Sequence, residues 1–107
     1  MKMHDVMIPK NRRPPAPGEI LREDILPELG RTQQQLADAL GIGRVRLNEI
    51  LNGKRSITAD TAMRLERVLG VSAVTWLRLQ LAVDMYDAMH SSQAAKIAKL
   101  KPIKRAA

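Results

Sequence analysis

The amino-acid sequence predicts an all-α domain of five helices. Apolar residues recur at the three- and four-residue spacing of a buried helix face in five segments between residues 17 and 89. Glycine or proline follows most of these segments, and hardly any stretch alternates apolar and polar residues as a strand does. The 107 residues suffice for one modest core with flexible ends. We therefore expect a helical domain over residues 17–92, an arm over 1–16 and a tail over 93–107.

The arm is predicted to be flexible and basic. Pro9, Pro14 and Pro15 disfavour a helix, and the pair Arg12-Arg13 lies among them. Such an arm is suited to reach a phosphate or the minor groove of DNA. A disordered leader without a partner fits the same composition equally well.

The first helix is predicted from Pro17 to about Leu26. Proline and glycine are tolerated in an opening turn, and Glu19 lies favourably near the positive end of the helix dipole. The buried side consists of Ile20, Leu21 and Ile25. Pro27 lacks a backbone N–H and restricts the residue before it, so we expect the regular helix to end there.

Residues 32–52 have the spacing of a helix-turn-helix unit. Thr32 and Gln35 form a capping box at the start of its first helix, and Ala37 is small where two helices would cross closely. Gly41 permits the sharp turn because glycine adopts a left-handed conformation cheaply. The inward positions of the second helix are Leu47, Ile50 and Leu51.

The remaining positions of the second helix carry Arg44, Val45, Arg46, Asn48 and Glu49. Arginine and asparagine make bidentate contacts with the edges of guanine and adenine, and a recognition helix presents them near its N-terminus. A charged stripe by itself is more often a solvated face. In combination with the turn spacing, it favours recognition of double-stranded DNA.

A basic loop follows this helix, which ends at Asn52-Gly53. Lys54 and Arg55 lie where a phosphate backbone would pass, so they are predicted to position the DNA rather than read bases. Thr58 caps a fourth helix that Gly70 ends. The inward residues of the fourth helix are Ala62, Leu65, Val68 and Leu69.

The last long helix, from Ala73 to about Met89, is apolar on two sides. One side is lined by Val74, Leu77, Leu81, Met85 and Ala88. The opposite side, which we assign to a homodimer contact, is lined by Trp76, Leu79, Val83 and Tyr86. A two-fold dimer would set two recognition helices roughly 34 Å apart, one turn of duplex. A helix at the centre of a small bundle would show the same pattern, with Trp76 and Tyr86 as packing residues.

The net charge of +7 is unevenly distributed. Residues 1–17 carry +3 and residues 93–107 carry +5, which leaves −1 for the middle of the chain. Within that middle, residues 44–55 carry +3 and residues 19–28 carry −3. A polyanion would therefore be steered toward the second helix of the unit and the loop after it.

The tail combines lysines with Ile97, Leu100 and Ile103 at three-residue spacing. This pattern suits a basic amphipathic segment on a membrane or on a partner protein. Pro102 interrupts it, so a fraying, solvated tail is the preferred interpretation and partner binding the second.

Several classes of protein are disfavoured by composition. The absence of cysteine excludes disulfides and thiolate metal sites and fits a reducing cytoplasm. His4 and His90 lie far apart without ligand spacing, and no glycine-rich loop follows a strand, so we predict no metal, no cofactor and no enzymatic activity. Because the sequence contains neither an apolar leader nor a run long enough to cross a bilayer, we expect a cytoplasmic protein without a membrane partner.

Four blocks of sequence carry a family resemblance. They are PGEILRE at 17–23, LNEILNGKR at 47–55, ADTA with RL within 59–65, and WL with LQ within 76–80. In this order the blocks resemble the HigA-type antitoxins, which belong to the lambda-repressor-like helix-turn-helix group. The resemblance implies a five-helix fold and a homodimer formed largely through the C-terminal helix. It also implies neutralisation of a HigB-like toxin, typically a ribosome-dependent mRNA endonuclease, and repression of the shared operon through a palindromic operator.

The resemblance also implies roles for single positions. Gln33 and Gln34 would meet phosphates, and the backbone would be held by Asn52, Lys54 and Arg55. The sequence departs from the family pattern at Gly43, where serine or threonine usually caps the recognition helix, and at Ala16, which replaces a common histidine. Our hypothesis is a dimeric, autorepressing antitoxin. The alternatives are a solitary repressor without a toxin and a toxin-binding inhibitor whose helix-turn-helix is vestigial.

Overall fold

The computed structural model describes residues 11–106, and all regular structure in that range is helical. The helical segment α1 comprises α-helical Pro17–Ile20, a π-helical turn Leu21–Ile25 and α-helical Leu26–Leu29. The later helices are α2 Gln33–Leu40, α3 Arg44–Leu51, α4 Ala59–Leu69, α5 Ala73–Met89 and α6 Ala94–Ala98. Helices α1 to α5 correspond to the five predicted helices, and α6 is a short addition in the tail. The predicted all-α fold is confirmed.

Side-chain caps start the helices where the sequence predicts them. The Gln35 backbone N–H donates to Thr32 Oγ1 over 3.1 Å, and the Thr32 N–H donates to Gln35 Oε1 over 2.9 Å. Thr58 and Ser72 cap α4 and α5 by accepting from the N–H three residues later. Helix α3 has no side-chain cap, because Gly43 occupies its N-cap position.

The prediction that the first helix ends before Pro27 is wrong, since the helical segment runs through this residue. The turn Leu21–Ile25 is π-helical, and the Leu26 N–H that follows donates to the Leu21 carbonyl five residues back. Pro27 then lies in the opening turn of the next α-helical stretch, where a missing N–H is tolerated. Gly30 ends the segment in the left-handed conformation, with φ of 64°.

One core cluster joins α1 to α5. Its most deeply buried large side chains, each 2% exposed or less, are Leu21, Leu47, Ile50, Leu51, Leu65 and Trp76. Helix α1 reaches the backbone of α3 at Gly18, where an added Cβ would overlap the carbonyl oxygen of Ile50. The position of α3 is therefore set by direct backbone contact with the first turn of α1.

Burial in the single chain does not follow the roles predicted for the two sides of α5. Trp76 and Val83, assigned to a homodimer contact, are buried in the core of their own chain at 1% and 3% exposure. Leu79 and Tyr86 are half-buried, whereas Val74 on the other side is 56% exposed. Because α5 is apolar on both sides, its pattern alone does not determine which side faces the core. The dimer assignment of Trp76 and Val83 is therefore wrong.

The described ends of the chain differ in their contacts. Arg13, in the predicted arm, donates to Asp87 on α5 through Nε to Oδ1 at 2.9 Å and through NH2 to Oδ2 at 3.1 Å. In the tail, no residue of α6 is buried, and the exposed large apolar side chains are Ile97, Leu100 and Ile103. The predicted features of residues 1–10, including His4 and Pro9, lie outside the described residues.

Candidate nucleic-acid interface

The turn between α2 and α3 has the geometry that the sequence predicts. Gly41 adopts the left-handed conformation with φ of 68°, and its N–H donates to the Asp38 carbonyl over 3.1 Å. The next N–H, of Ile42, donates to the Ala37 carbonyl over 3.1 Å. Gly43 is extended, so the chain changes direction within three residues before α3 begins. Residues 33–51 therefore form a helix-turn-helix unit.

Arginines from outside the unit cap the C-terminal ends of both its helices. Arg64 on α4 donates through NH1 to the Leu40 carbonyl over 2.9 Å and to the Gly41 carbonyl over 3.3 Å. Arg22 on α1 donates through NH1 to the Leu51 carbonyl over 2.8 Å. These bonds satisfy carbonyls that a helix end leaves unpaired, and each places a cation at the negative end of a helix dipole. Helices α1 and α4 thereby fix the ends of α2 and α3.

The sequence provided no local signal for these two caps. Arg22 and Arg64 contact residues 29 and 24 positions away in the chain, respectively. Both arginines occur in the blocks that carry the family resemblance, but the resemblance assigned them no role. Only the folded arrangement of α1 and α4 around the unit reveals their function.

The start of α3 presents an open face. Val45 is 75% exposed, and Arg44 beside it is exposed, with no side-chain hydrogen bond or ion pair to any described residue. Since Gly43 supplies no side-chain cap, the first N–H groups of α3 also receive no acceptor from the N-cap residue. This arrangement can offer a guanidinium fork, a branched apolar side chain and the positive end of a helix dipole to the same ligand.

Three predicted site residues form a polar chain across the unit. Asn48 Nδ2 on α3 donates to Gln33 Oε1 on α2 over 3.3 Å. Asn52 Nδ2 donates to Asn48 Oδ1 over 3.1 Å and to the Asn48 carbonyl over 3.0 Å. Gln34 lies apart from this chain and donates to Asp38 on its own helix over 2.9 Å. The structure thus brings Gln33, Asn48 and Asn52 together, with Asn48 at the centre.

The loop after α3 carries the predicted cations. The Lys54 side chain is exposed, and its backbone N–H donates to the Glu49 carbonyl over 2.8 Å. Arg55 NH2 lies 3.1 Å from Glu49 Oε1, so the carboxylate predicted to face bases holds an arginine of the loop. The Ile57 N–H donates to Gln80 Oε1 on α5 over 2.9 Å, which fastens the end of the loop to the domain.

Arg46 departs from its predicted orientation. Its NH2 donates to Thr61 Oγ1 over 2.7 Å and lies 3.4 Å from Asp60 Oδ1, both on α4. Arg64 Nε donates to the same Asp60 oxygen over 2.8 Å. This hydrogen bond from Arg64, reinforced by the charges of both arginines, holds the pKa of the Asp60 carboxyl below its usual value. Arg46 therefore points toward α4, although it belongs to the helix predicted to read bases.

The described residues show neither a candidate metal site nor a membrane-spanning helix. They contain no group of three or more His, Cys, Asp or Glu side chains that could hold a metal ion, and none of the described helices is long and apolar enough to span a membrane. The carboxylates of Asp84 and Asp87 are engaged, because Asp84 accepts from Gln80 and Asp87 accepts from Arg13. The hydrogen bond from Arg13 lowers the pKa of Asp87.

Comparison with known proteins identifies the family. A helix-turn-helix family model matches residues 21–76. Virulence-associated protein I of Dichelobacter nodosus is 45% identical over 89 residues, which is 82% of each chain. Antitoxin HigA-1 of Vibrio cholerae is 37% identical over 82 residues, which is 77% of each chain.

Solved structures agree with these relatives. An addiction module antidote protein of the HigA family from Coxiella burnetii is 41% identical, with a TM-score of 0.77 over 86% of this chain and 100% of that one. The Pseudomonas aeruginosa antitoxin HigA, solved with the higBA promoter, is 34% identical, with a TM-score of 0.77 over 86% of this chain and 100% of that one. The chain therefore belongs to the HigA-type antitoxins of the helix-turn-helix family, which are DNA-binding transcriptional repressors.

Proposed function

We propose that this chain represses its own operon by binding a palindromic operator as a homodimer, and that it neutralises a HigB-like mRNA-cleaving toxin. The DNA-binding part of this proposal rests on the open start of α3. Arg44 and Val45 are exposed there, while Arg22 on α1 holds the C-terminal end of the helix and Thr61 on α4 holds Arg46 in its first turn. A face that is rigidly held and free of intramolecular partners is suited to sequence reading, because little order must be gained on binding.

Individual roles follow from the chemistry of each side chain. Arg44 offers a fork to guanine O6 and N7, Asn48 offers an amide to adenine, and the methyl groups of Val45 suit a thymine methyl. Gln33 orients the Asn48 amide through their hydrogen bond and lies where a phosphate would pass. Glu49 acts through Arg55, which it holds in the loop.

Besides Gln33, the phosphate contacts are assigned to four residues that surround this reading face. Lys54 and Arg55 supply charge from the loop, and Gln34 and Asn52 supply amide groups at the edges of the unit. Contacts of this kind fix the register of the protein on the duplex and carry no sequence information.

The homodimer is assigned to the outer side of α5 after the correction described above. Val74 and Met89 are 56% and 43% exposed at opposite ends of this side, with Leu81 and Met85 half-buried between them. A second copy related by two-fold symmetry would cover the same strip on both chains. It would also present two α3 helices to successive major grooves, as a palindromic operator requires.

Support for the toxin partner comes from relatives alone. HigA-1 of V. cholerae is named as an antitoxin, and the C. burnetii protein as an antidote of an addiction module. The proposed site of action is the cytoplasm, where operator DNA and the mRNA substrate of the toxin are found. If the neighbouring gene encodes no toxin, the protein is instead a solitary repressor.

Two assays on the same cells test the two halves separately. Expression of the chain should silence a reporter gene that is fused to its own upstream DNA, and it should restore growth to cells that express the neighbouring gene. Arg44→Ala should abolish silencing and still restore growth, because it alters only the DNA-reading face. Failure of the wild-type chain to silence the reporter would contradict the repressor function. Failure to restore growth, with silencing intact, would leave a repressor without a toxin.

A further inference from the structure

One carboxylate on α4 connects both helices of the helix-turn-helix unit. Asp60 Oδ1 accepts from Arg64 Nε at 2.8 Å and lies 3.4 Å from Arg46 NH2. Arg64 also donates to the Leu40 carbonyl at the end of α2, and Arg46 projects from the first turn of α3. A continuous chain of contacts thus runs from the end of α2, through α4, to the start of α3.

Arg46 has a second anchor on α4. Its NH2 donates to Thr61 Oγ1 over 2.7 Å, which is the shorter of its two contacts. Thr61 is 2% exposed, and its hydroxyl lies 3.3 Å from that of Thr58, so the first turn of α4 fixes its place. The Arg46 side chain is 33% exposed and contacts α4, whereas the Arg44 and Val45 side chains beside it are exposed.

Asp60 balances the charge of two arginines that share one of its oxygens. Without the carboxylate, the two guanidinium groups would repel each other, and the weaker-held Arg46 would leave α4. Its long side chain would then be available to the DNA backbone that passes α3. An additional cation there strengthens binding to every DNA sequence, because phosphate contacts do not depend on sequence.

We propose that Asp60 is a positioning residue that limits the sequence-independent affinity of the protein for DNA. It helps to hold Arg46 on α4 and away from the DNA backbone, so that the face of α3 presented to DNA is left to Arg44, Val45 and Asn48. The inference rests on the proposed DNA-binding function. It adds to the determinants of DNA affinity a residue that makes no contact with DNA itself.

The test compares Asp60→Asn with Asp24→Asn, which removes the same charge from an exposed position on α1 that makes no side-chain hydrogen bond or ion pair with any described residue. The dissociation constant is measured for the upstream operator and for a scrambled duplex over a series of salt concentrations. Asp60→Asn should strengthen binding to both duplexes by the same factor and leave the ratio of the two affinities unchanged, because a phosphate contact does not depend on sequence. It should also steepen the slope of log K against log salt by about 0.9, because Arg46 gains one phosphate contact. Asp24→Asn should match the wild-type protein in affinity and slope.

Three further variants separate positioning from other roles. Arg46→Gln should preserve the base preference at every operator position, and adding Asp60→Asn to it should no longer steepen the salt slope. Asp60→Glu keeps a carboxylate and should resemble the wild-type protein in affinity and salt slope. The melting temperature of each variant is measured in parallel, since a purely structural defect would weaken binding to both DNAs alike and leave the salt slope unchanged.

Two results would overturn the inference. One is an Asp60→Asn protein that resembles Asp24→Asn in affinity and slope, and the other is an Arg46→Gln protein that relaxes one operator position, which would make Arg46 a base reader. If Asp60→Asn fails to fold, the salt slope of Arg46→Gln decides the question, because a slope reduced by about 0.9 would mean that Arg46 already contacts a phosphate in the wild-type protein. A wild-type protein that cannot distinguish operator from scrambled DNA would refute the proposed function instead, so the two failures are distinguishable.

Discussion

Replacing Arg44 with alanine tests the reading face of α3 most specifically. Arg44 is exposed and makes no side-chain hydrogen bond or ion pair with any described residue, so its removal should leave the fold intact. Alanine and arginine are both good helix formers, so α3 itself should persist. The substitution should therefore weaken DNA binding without changing the fold. A bidentate contact with guanine is worth about 1 to 3 kcal/mol of discrimination, which corresponds to roughly a 5- to 150-fold weaker operator complex.

The assay is a titration of the operator together with a set of duplexes that each change one base pair. The wild-type protein should discriminate at every contacted position, and Arg44→Ala should lose discrimination at one position in each half-site. Arg67→Ala is the matched control, because Arg67 is an exposed arginine in the last turn of α4 and makes no side-chain hydrogen bond or ion pair with any described residue. An Arg44→Ala protein that loses affinity equally for operator and random DNA would refute the assigned role.

Four further predictions concern the contacts around this face. Lys54→Ala should weaken binding to all DNA sequences to the same extent and reduce the slope of log K against log salt by about 1, as measured by equilibrium titration. Gly18→Ala should lower the free energy of unfolding by about 3 kcal/mol in urea titrations, because its Cβ would overlap the backbone of α3. Gly43→Ala is the control and should change this free energy little, because its Cβ would meet nothing within 4 Å. Val74→Asp should give monomers in sedimentation experiments, since Val74 is exposed in the single chain and the substitution would bury a charge in the apolar dimer contact. Asp87 has a lowered pKa, so the stability from its arginine partner should be present near neutral pH and lost as the pH falls below 3.8. The difference in melting temperature between wild type and Asp87→Asn should therefore disappear in strong acid.

Features that depend on neighbouring residues were predictable from the sequence. The capping box of Thr32 and Gln35 and the turn at Gly41 each follow from residues within a few positions of one another. Their geometry in the structure is as predicted because local hydrogen bonds alone determine it. The exposed start of α3 was likewise predictable, since Leu47 and Ile50 identify its buried side.

Features that depend on distant parts of the chain were not predictable in this way. The orientation of Arg46 depends on Thr61, fifteen positions later, and the cap that Arg22 makes on α3 spans twenty-nine. Helix α5 is apolar on both sides, so only the packing of the other helices determines that Trp76 faces inward. The continuation of α1 through Pro27 depends on a π-helical turn, which spacing does not reveal.

The most direct test of the central claim is the affinity of the purified protein for its own upstream DNA and for a scrambled duplex, at two salt concentrations. We predict that two chains bind each operator, at least about a thousandfold more tightly than scrambled DNA at physiological salt. Equal affinity for both DNAs, falling to the same extent as the salt concentration rises, would contradict the account. It would mean that the basic ends of the chain, and not the face of α3, govern the interaction with DNA.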